Sequence, residues 1–312
     1  MPDGPSISSG SMPRRRRLRW LGIGSLLLAM IYLAVGAMTA TKMTRPKRRF
    51  KPEHSPASRG LPYEEVRFLA RGGDADLAGW FVPAAGTQRA LILVHGKDSN
   101  RSRFMEHAGA IAVELHRRAF NLLLIDLRGH GHSSDSRLSF GIKEHRDILG
   151  AFDYLQTRGF RKGAIGVLGQ SMGAASTIFA AAAEPGIAAA VSDCAYSDIR
   201  LVIDHQFQAS TGLPSWFVPA TRLFGWLLVG VDLATAQPLR VVAQIAPRPL
   251  FLIHSGADAL IPVGHAADLR LAADSSRLWV IEGAGHVRGI QAAETAYRTR
   301  VGEFFHKNVP NN

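Results

Sequence analysis

Short runs of apolar residues recur along the chain from residue 63 onward and alternate with stretches that have helical spacing. The first two runs, 65–69 and 77–82, flank a Gly-Gly-Asp turn and predict an antiparallel hairpin. Six further runs lie at 90–94, 122–125, 164–168, 188–191, 250–253 and 278–281, with helices predicted near 103–118, 143–158, 173–183, 263–272 and 288–306. Continuous apolar runs are typical of strands buried on both faces. The pattern therefore predicts a mostly parallel eight-stranded sheet with helices on both faces.

The interval between the sixth and seventh predicted strands is about fifty residues, which is too long for a simple crossover. We expect residues 197–246 to form a small helical lid over the carboxyl edge of the sheet. The apolar stretch 216–233 is not predicted to be a second membrane span, because it contains Arg222 and two prolines lie in or beside it. The bulky lid side chains either line a substrate pocket or fill the core of the lid, and both alternatives stay open; they are Trp216, Phe217, Phe224, Trp226 and Leu227.

A different pattern precedes the sheet. Residues 20–41 contain no charged side chain and are bounded by Arg19 and Lys42. A helix of this length spans roughly 33 Å, close to the thickness of the hydrocarbon core of a bilayer. We therefore predict one transmembrane anchor at 20–41, preceded by a basic tail at 1–19. A cleaved signal peptide is the alternative, with Val35-Gly36-Ala37 as its cleavage site, but the length of the apolar run favours the anchor.

The formal net charge of +12 is concentrated at the N-terminus. Residues 1–51 hold eleven Lys and Arg against one acid, Asp3, so the remaining 261 residues carry only +2. A basic flank on a nearly neutral domain is typical of a membrane-proximal segment rather than a nucleic-acid surface. We predict contact with the membrane through the N-terminal helix and no nucleic-acid partner.

The distribution of basic residues hardly distinguishes the two sides of the membrane. Five basic residues precede the apolar run and six follow it within ten positions, so the positive-inside rule gives almost no difference. Short N-terminal anchors more often leave the main domain outside the cytoplasm, which weakly favours an extracytoplasmic domain at 61–312. Residues 42–60, with three prolines and several basic residues, are expected to form an exposed tether.

Candidate chemistry lies where predicted strands end. Gly169-Gln170-Ser171-Met172-Gly173 follows the apolar run 164–168 and precedes an Ala-rich helix. Strand, Gly-x-Ser-x-Gly and helix in this order form the nucleophile elbow of hydrolases. Such a tight turn leaves no room for side chains two positions either side of the serine, a requirement that Gly169 and Gly173 meet. The pattern predicts Ser171 as a nucleophile.

A serine hydroxyl is almost wholly protonated at neutral pH, so Ser171 needs a general base. His286 is the best candidate, because it ends a Gly-Ala-Gly-His loop directly after the last predicted strand. Asp258 follows the preceding strand and is expected to orient the imidazole of His286. Asp193, at the end of the strand at 188–191, is a rival for this role, although the Asp258 loop is favoured.

Five motifs occur in order at the predicted strand ends. They are His95-Gly96, Asp126-Leu127-Arg128-Gly129-His130-Gly131-His132-Ser133, the serine motif, the Asp258 loop and Gly285-His286. Together they resemble the serine hydrolases of the α/β-hydrolase superfamily over residues 63–306. The segment that holds Glu144 and Asp147 is further similar to the membrane-anchored or secreted esterase and peptidase-like branch.

This resemblance implies the α/β-hydrolase fold for residues 61–312, a triad of Ser171, His286 and Asp258, and an acyl-enzyme mechanism. It also implies an oxyanion hole formed by the backbone N–H groups of Met172 and Lys97. The Lys97 side chain either points to solvent or favours an anionic substrate. We expect His95, His130 and His132 to brace loops, and Cys194 to be a small buried filler. No pair of residues has metal-ligand spacing, and no cofactor is predicted.

The sequence therefore predicts a membrane-tethered serine hydrolase that cleaves a carboxylic ester or related acyl bond, with a small-molecule or lipid-like acyl substrate. A peptidase or amidase with the same triad is the main alternative. Acyl transfer to an alcohol or amine is another. An alternative from a different class is a non-catalytic, membrane-tethered binding module on the same fold.

Overall fold

Eight strands form one sheet in the computed structural model, which describes residues 14–311. The strands are β1 (Glu64–Leu69), β2 (Asp76–Val82), β3 (Ala90–Val94), β4 (Asn121–Ile125), β5 (Ile165–Gln170), β6 (Ile187–Asp193), β7 (Leu250–Ser255) and β8 (Ser276–Ile281). Their order across the sheet is β1-β2-β4-β3-β5-β6-β7-β8. Strand β2 is antiparallel to β1 and β4, and all other neighbours are parallel. The predicted mostly parallel sheet is confirmed.

Nine α-helices are present within residues 14–311. They are α1 (Arg14–Thr44), α2 (Arg101–Arg117), α3 (His145–Thr157), α4 (Met172–Ala183), α5 (Ile199–Thr211), α6 (Val218–Val229), α7 (Gly264–Leu271), α8 (Gly289–Ala292) and α9 (Glu294–Asn308). Two apolar cores, one on each face of the sheet, join the strands to these helices. All five residues of β3 are buried, which agrees with a central strand covered on both faces. Each such Leu, Ile or Val contributes about 1.5–3 kcal/mol through burial.

The sheet changes winding direction at β3 and β5. The chain leaves β3 to form β4 on one side and later returns to form β5 on the other. Loops that diverge from neighbouring parallel strands leave a crevice at their carboxyl ends, where ligands bind in open α/β sheets. Residues 95–97 follow β3 and Ser171 follows β5, so the predicted oxyanion and nucleophile positions lie at this crevice.

Helix α1 is long and apolar enough to cross a membrane, and within residues 14–311 it is the one helix that passes this test. It exceeds the predicted span of 20–41 at both ends, and residues 1–13 of the predicted basic tail lie outside the described residues. Its apolar side chains are largely exposed, including Leu21 at 67% and Leu28 at 70%. A core helix would bury these side chains, so the surface of α1 is suited to lipid rather than water.

The carboxyl-terminal half of α1 packs on the lid. A Cβ atom at Gly36 would overlap Ala220 of α6, so the two backbones approach closely, as small residues allow in helix pairs. The ring of Tyr32 stacks on Trp216 and Phe217, and its hydroxyl donates to the carbonyl oxygen of Trp216 at 3.0 Å. Helix α1 and the lid therefore form one packed unit.

The segment predicted as an exposed tether is bound to the domain. The backbone N–H of Lys47 donates to Asp98 at 2.9 Å, and Lys51 Nζ donates to Glu106 at 2.7 Å. The ring of Phe50 packs edge-on against Trp80 and under the guanidinium of Arg101. These contacts hold the chain on the surface after α1 ends, whereas the boundaries at 42 and 60 stay predictions.

The lid consists of α5, α6 and several short 3₁₀ turns between β6 and β7. The bulky lid side chains were predicted either to line a substrate pocket or to fill the core of the lid. Their surroundings differ, so neither alternative holds for all of them. Phe217 is buried with Phe207 and Val218 in a small core of the lid. Trp216 stacks on α1 and is 60% exposed, and Trp226 and Leu227 also point outward. None of the three lines the apolar cavity beside Ser171.

Candidate active site

Ser171 occupies a strained turn between β5 and α4. Its φ of 53° and ψ of −120° lie in a region that L-residues rarely adopt, at a cost of order 1–3 kcal/mol. A Cβ atom at Gly169 would overlap the carbonyl oxygen of Gly173, and one at Gly173 would overlap that of His95. The backbone N–H of Ser171 donates to the Asp193 carbonyl at 2.8 Å and holds the turn on β6. The two glycines thus meet the steric need predicted for them.

Ser171, His286 and Asp258 form a continuous hydrogen-bonded array. His286 Nε2 lies 2.8 Å from Ser171 Oγ, and His286 Nδ1 lies 2.6 Å from Asp258 Oδ2. Because the carboxylate is an acceptor, Nδ1 carries the proton and Nε2 is free to accept from the serine hydroxyl. Three separate strand ends supply these groups, as the sequence predicted.

Asp258 is held as a carboxylate. Burial by itself would raise its pKa, but the hydrogen bond from His286 and the imidazole charge outweigh burial and lower it. The backbone N–H groups of Leu260 and Ile261 donate to the other oxygen, Oδ1, both at 2.9 Å. A fixed anion at this position orients the imidazole and stabilises the imidazolium that proton transfer produces.

Asp193, the rival acid, has a different partner. Its Oδ2 accepts from the hydroxyl of Tyr297 at 2.8 Å, and its Oδ1 from the Cys194 thiol at 3.3 Å. Burial raises the pKa of this carboxyl, although Tyr297 opposes the rise. In the structure it is Asp258 that contacts His286, which agrees with the preference given to Asp258.

Two backbone N–H groups beside Ser171 have no acceptor among residues 14–311. One belongs to Met172 at the first position of α4, and the other to Lys97 after β3. A Cβ atom at Gly96 would contact that of Ser171, so the loop that carries Lys97 lies directly against the serine. Unoccupied donors on both sides of a nucleophile are what an oxyanion hole requires. The Lys97 side chain is 37% exposed and pairs with Asp98 at 2.7 Å.

His95 and His130, two of the three histidines expected to brace loops, do so. His95 Nδ1 donates to its neighbour, the Gly96 carbonyl, at 2.7 Å, and His95 Nε2 accepts from the backbone N–H of Leu127 at 3.1 Å. Burial keeps the pKa of His95 well below its usual range, so this ring is neutral. His130 Nε2 likewise accepts from the backbone N–H of Asp98 at 3.3 Å.

Cys194, His254 and Asp258 place one ligand atom each within 4.8 Å of one another, a proximity that the sequence spacing did not reveal. Asp258 is already engaged by His286. Burial raises the pKa of the Cys194 thiol far above its usual range, which disfavours the thiolate that a metal would need. We assign no metal role to this group.

Two cavities open onto Ser171 and His286. One, of about 320 Å³, is mainly apolar and is bounded by α5, the Asp258 loop and the end of α1. The other, of about 370 Å³, lies on the side of α2 and of the loop after His286 and is lined by several cationic side chains. Ser171 and His286 therefore lie between an apolar cavity and a basic one.

Most of the apolar side chains that line the apolar cavity were not predicted from the sequence. They include Met43 at the end of α1 and four residues of α5, Ile199, Val202, Ile203 and Phe207. The spacing of these α5 residues, at i, i+3, i+4 and i+8, is that of one apolar helix face, and this signal was available in the sequence. The position of Met43 depends on how α1 packs on the domain, so the local sequence does not indicate that it lines the cavity.

An eight-stranded sheet of this order, with a serine elbow at the crevice and His and Asp at the last strand ends, defines the α/β-hydrolase fold. The chain belongs to the alpha/beta hydrolase family, whose model matches residues 91–298.

Several known proteins are similar to this chain. The uncharacterized protein YqkD of Bacillus subtilis is 28% identical over 233 residues, which are 73% of this chain and 75% of YqkD. The uncharacterized protein YfhR of Escherichia coli O157:H7 is 27% identical over 256 residues, covering 80% and 79% of the two chains. The esterase Pf2001 of Pyrococcus furiosus superposes with a TM-score of 0.71 at 26% identity, over 86% of this chain and 99% of its own. These similarities support a hydrolase.

Proposed function

We propose that the protein is a membrane-anchored serine hydrolase that cleaves carboxylic esters or related acyl bonds through Ser171, His286 and Asp258. The single observation that carries the proposal is the array in which His286 lies 2.8 Å from Ser171 and 2.6 Å from Asp258. The similarity to an esterase of known structure supports an ester as the substrate.

The reaction begins when Ser171 Oγ attacks the acyl carbon and His286 Nε2 takes the hydroxyl proton. Negative charge then develops on the former carbonyl oxygen and is stabilised by the N–H groups of Met172 and Lys97. Each such donor is commonly worth about 10²–10³ in rate. His286 next gives its proton to the leaving oxygen, which leaves an acyl group on Ser171. Water, activated by the same imidazole, releases the acid and restores the serine.

The apolar cavity receives the acyl group. Its volume of about 320 Å³ is at the lower end of the range for small-molecule pockets. Burying a hydrocarbon chain there supplies binding free energy in proportion to the apolar area removed from water. The substrate is thus a small-molecule or lipid-like acyl compound, and the reaction as described needs no cofactor.

The anchor keeps this site at a membrane, with the hydrolase domain on the extracytoplasmic side. The exposed apolar surface of α1 supports the anchor. Protease treatment of intact spheroplasts tests the orientation: digestion of the domain is expected, and full protection would place it in the cytoplasm. The mass of the mature protein distinguishes an anchor from a cleaved signal peptide.

The activity is tested with the full chain in nonionic detergent and p-nitrophenyl esters of increasing acyl length. We expect turnover that is lost in Ser171→Ala, and covalent labelling of wild type, but not of the variant, by a fluorophosphonate. Labelling without ester turnover would direct the search to peptides and amides. No labelling and no turnover would favour a non-catalytic binding module. Added alcohol or amine acceptors test for acyl transfer.

A further inference from the structure

The basic cavity beside Ser171 is lined by lysine and arginine side chains from distant parts of the chain. Lys47 and Arg49 come from the segment after α1, Arg103 from α2, and Arg288 from the loop just after His286. The one acidic residue in its lining is Asp98, which already pairs with Lys97 and accepts from the backbone of Lys47. The cavity therefore carries an excess of positive charge next to the reactive serine.

These cations are not neutralised within the described chain. Among residues 14–311, no carboxylate lies within 4.0 Å of the charged groups of Lys47, Arg49, Arg103 or Arg288. Within the same range, the guanidinium of Arg103 hydrogen-bonds to the ring of His107, at 3.4 Å. Unpaired guanidinium groups that share a cavity are suited to an anion, because each offers a planar set of donors that fits phosphate.

The two cavities indicate where the two halves of a substrate bind. An ester bound with its carbonyl at Ser171 extends its acyl chain in one direction and its alcohol in the other. The hydrocarbon chain fits the apolar cavity, so the alcohol half lies in the basic one. His286, which protonates the leaving oxygen, borders both spaces.

A third cavity connects the site to the anchor. It has a volume of about 420 Å³, lies between α1 and the end of α5, and is bordered by Val35 and Met38 of α1. It shares Met43, Lys97, Asp98 and Ser210 with the apolar cavity, and Lys42, Arg45 and Lys47 also line it. The two cavities therefore adjoin between the surface of α1 and Ser171, with both apolar and basic side chains along the way.

On the basis of the proposed hydrolase activity, we propose that the substrate is an anionic amphiphile from the bilayer: an acyl ester whose alcohol half carries a phosphate group. The acyl chain enters along α1 into the apolar cavity, and the phosphate binds in the basic cavity. Hydrolysis cleaves the bond between the acyl carbon and the ester oxygen, adds water across it, and leaves the phosphate ester intact.

The test compares 1-oleoylglycerol with 1-oleoylglycerol 3-phosphate, using the full chain in nonionic detergent micelles. We expect kcat/KM for the phosphate compound to exceed that for the neutral one by about tenfold or more at low salt, and the ratio to fall as salt screens the charges. In the double variant Arg103→Gln/Arg288→Gln, which leaves Lys47, Arg49 and Lys97 in the cavity, the ratio is expected to fall about threefold or more. Arg240→Gln is the matched control, because Arg240 is exposed and lines neither cavity, and it should keep the wild-type ratio.

The outcomes separate this inference from the proposed function. Wild-type protein that hydrolyses both esters equally, or a double variant that keeps the preference, overturns the inference and leaves the hydrolase assignment in place. Protein that cleaves neither these esters nor p-nitrophenyl esters overturns both. Hexanoylglycerol 3-phosphate, which is soluble, tests the source of the substrate. If it is cleaved as efficiently as the oleoyl compound, anion recognition stands but a bilayer source is excluded.

Discussion

Tyr297 donates its hydroxyl hydrogen to Asp193 across 2.8 Å, and both residues are fully buried. This bond occupies the carboxylate that is the rival partner for His286. Asp258→Asn is therefore expected to lower kcat by about 10³–10⁴, since the imidazole loses its fixed tautomer. Asp193→Asn should keep kcat within about tenfold of wild type, because its bond is to a phenol outside the array.

Both variants are assayed on one p-nitrophenyl ester, with thermal unfolding to confirm that they are folded. A larger loss of kcat in folded Asp193→Asn than in Asp258→Asn would reverse the assignment of the acid.

The apolar cavity should set acyl-chain preference. Val202 of α5 lines it and is half-buried, so Val202→Trp fills part of the space without removing a core side chain. We expect the chain-length optimum for p-nitrophenyl esters to shift to shorter chains, with kcat/KM for the longest chains reduced about tenfold or more. Leu201→Trp is the control, because Leu201 is 52% exposed and does not line this cavity. An optimum that is the same in all three proteins would show that the acyl group binds elsewhere.

Gly173 should tolerate no side chain. In Gly173→Ala the new Cβ overlaps the carbonyl oxygen of His95, which is backbone and has no room to rotate away. We expect a loss of stability of about 1–3 kcal/mol together with a fall in activity, since the elbow must deform. Gly264→Ala is the matched control, because a Cβ there meets nothing within 4 Å. Thermal unfolding and ester turnover of the two variants are compared, and equal behaviour would contradict the steric argument.

Arg128 and Asp147 form a buried ion pair behind the site, with 2.7 Å between Nη2 and Oδ1. Burial raises the pKa of Asp147, and Arg128 opposes this rise. Removing only the cation in Arg128→Met leaves the buried carboxylate of Asp147 with a backbone N–H donor but no ionic partner, and it also removes the ion pair between Arg128 and the exposed Asp74. Loss of a buried partner typically costs about 3–5 kcal/mol. The double variant Arg128→Met/Asp147→Leu should recover a large part of that loss. Denaturant unfolding measures both, and a double variant less stable than Arg128→Met would count against this explanation.

Stability should fall as the pH decreases below about 6.5. Burial lowers the pKa of His95 and His130, so the unfolded chain takes up protons at these residues that the folded chain does not. Unfolding is therefore favoured as the pH drops through the unfolded-state pKa, by up to about 1.4 kcal/mol per pH unit for each histidine. Asp258, whose pKa is also lowered, acts in the same direction in the window below about pH 4. Three buried carboxyls whose pKa burial raises, Asp126, Asp147 and Asp193, act in the opposite direction, but the five histidines whose pKa burial lowers outnumber them. Melting temperatures between pH 8 and pH 5 check the net effect; a constant or rising melting temperature on acidification would refute it.

The sheet could be predicted from the sequence because its strands are continuous apolar runs. Ala90–Val94 has the predicted bounds, and the other strands differ by at most three residues at either end. Ser171, His286 and Asp258 were found because each follows such a run directly, and parallel strands bring their carboxyl ends to one edge. The local sequence pattern was sufficient to predict these site residues, because a parallel sheet brings the ends of its strands together.

Long-range packing was not predictable in this way. Tyr32 and Trp216 are 184 positions apart, and no local periodicity reports that their rings stack. The same reason explains why the packing of segment 42–60 was not predicted. Its prolines and charges indicated an exposed tether, but Phe50 packs against Trp80 and Arg101 of the folded domain. The basic cavity also depends on tertiary structure, since its cations come from four separate regions of the chain.

The hydrogen bond from Lys47 to Asp98 ties the end of α1 closely to the candidate active site. Only two residues separate the end of α1 at Thr44 from Lys47, whose N–H donates to Asp98 in the loop beside Ser171. If α1 lies in a bilayer, the opening of the site stays at a fixed distance from the lipid surface, and the domain does not diffuse freely in solution. For the bilayer substrate that we propose, the rate of encounter then depends on its amount per unit of membrane area rather than per unit of volume. Diluting the vesicles should leave the turnover of each molecule unchanged, whereas diluting the substrate among inert lipids should slow it.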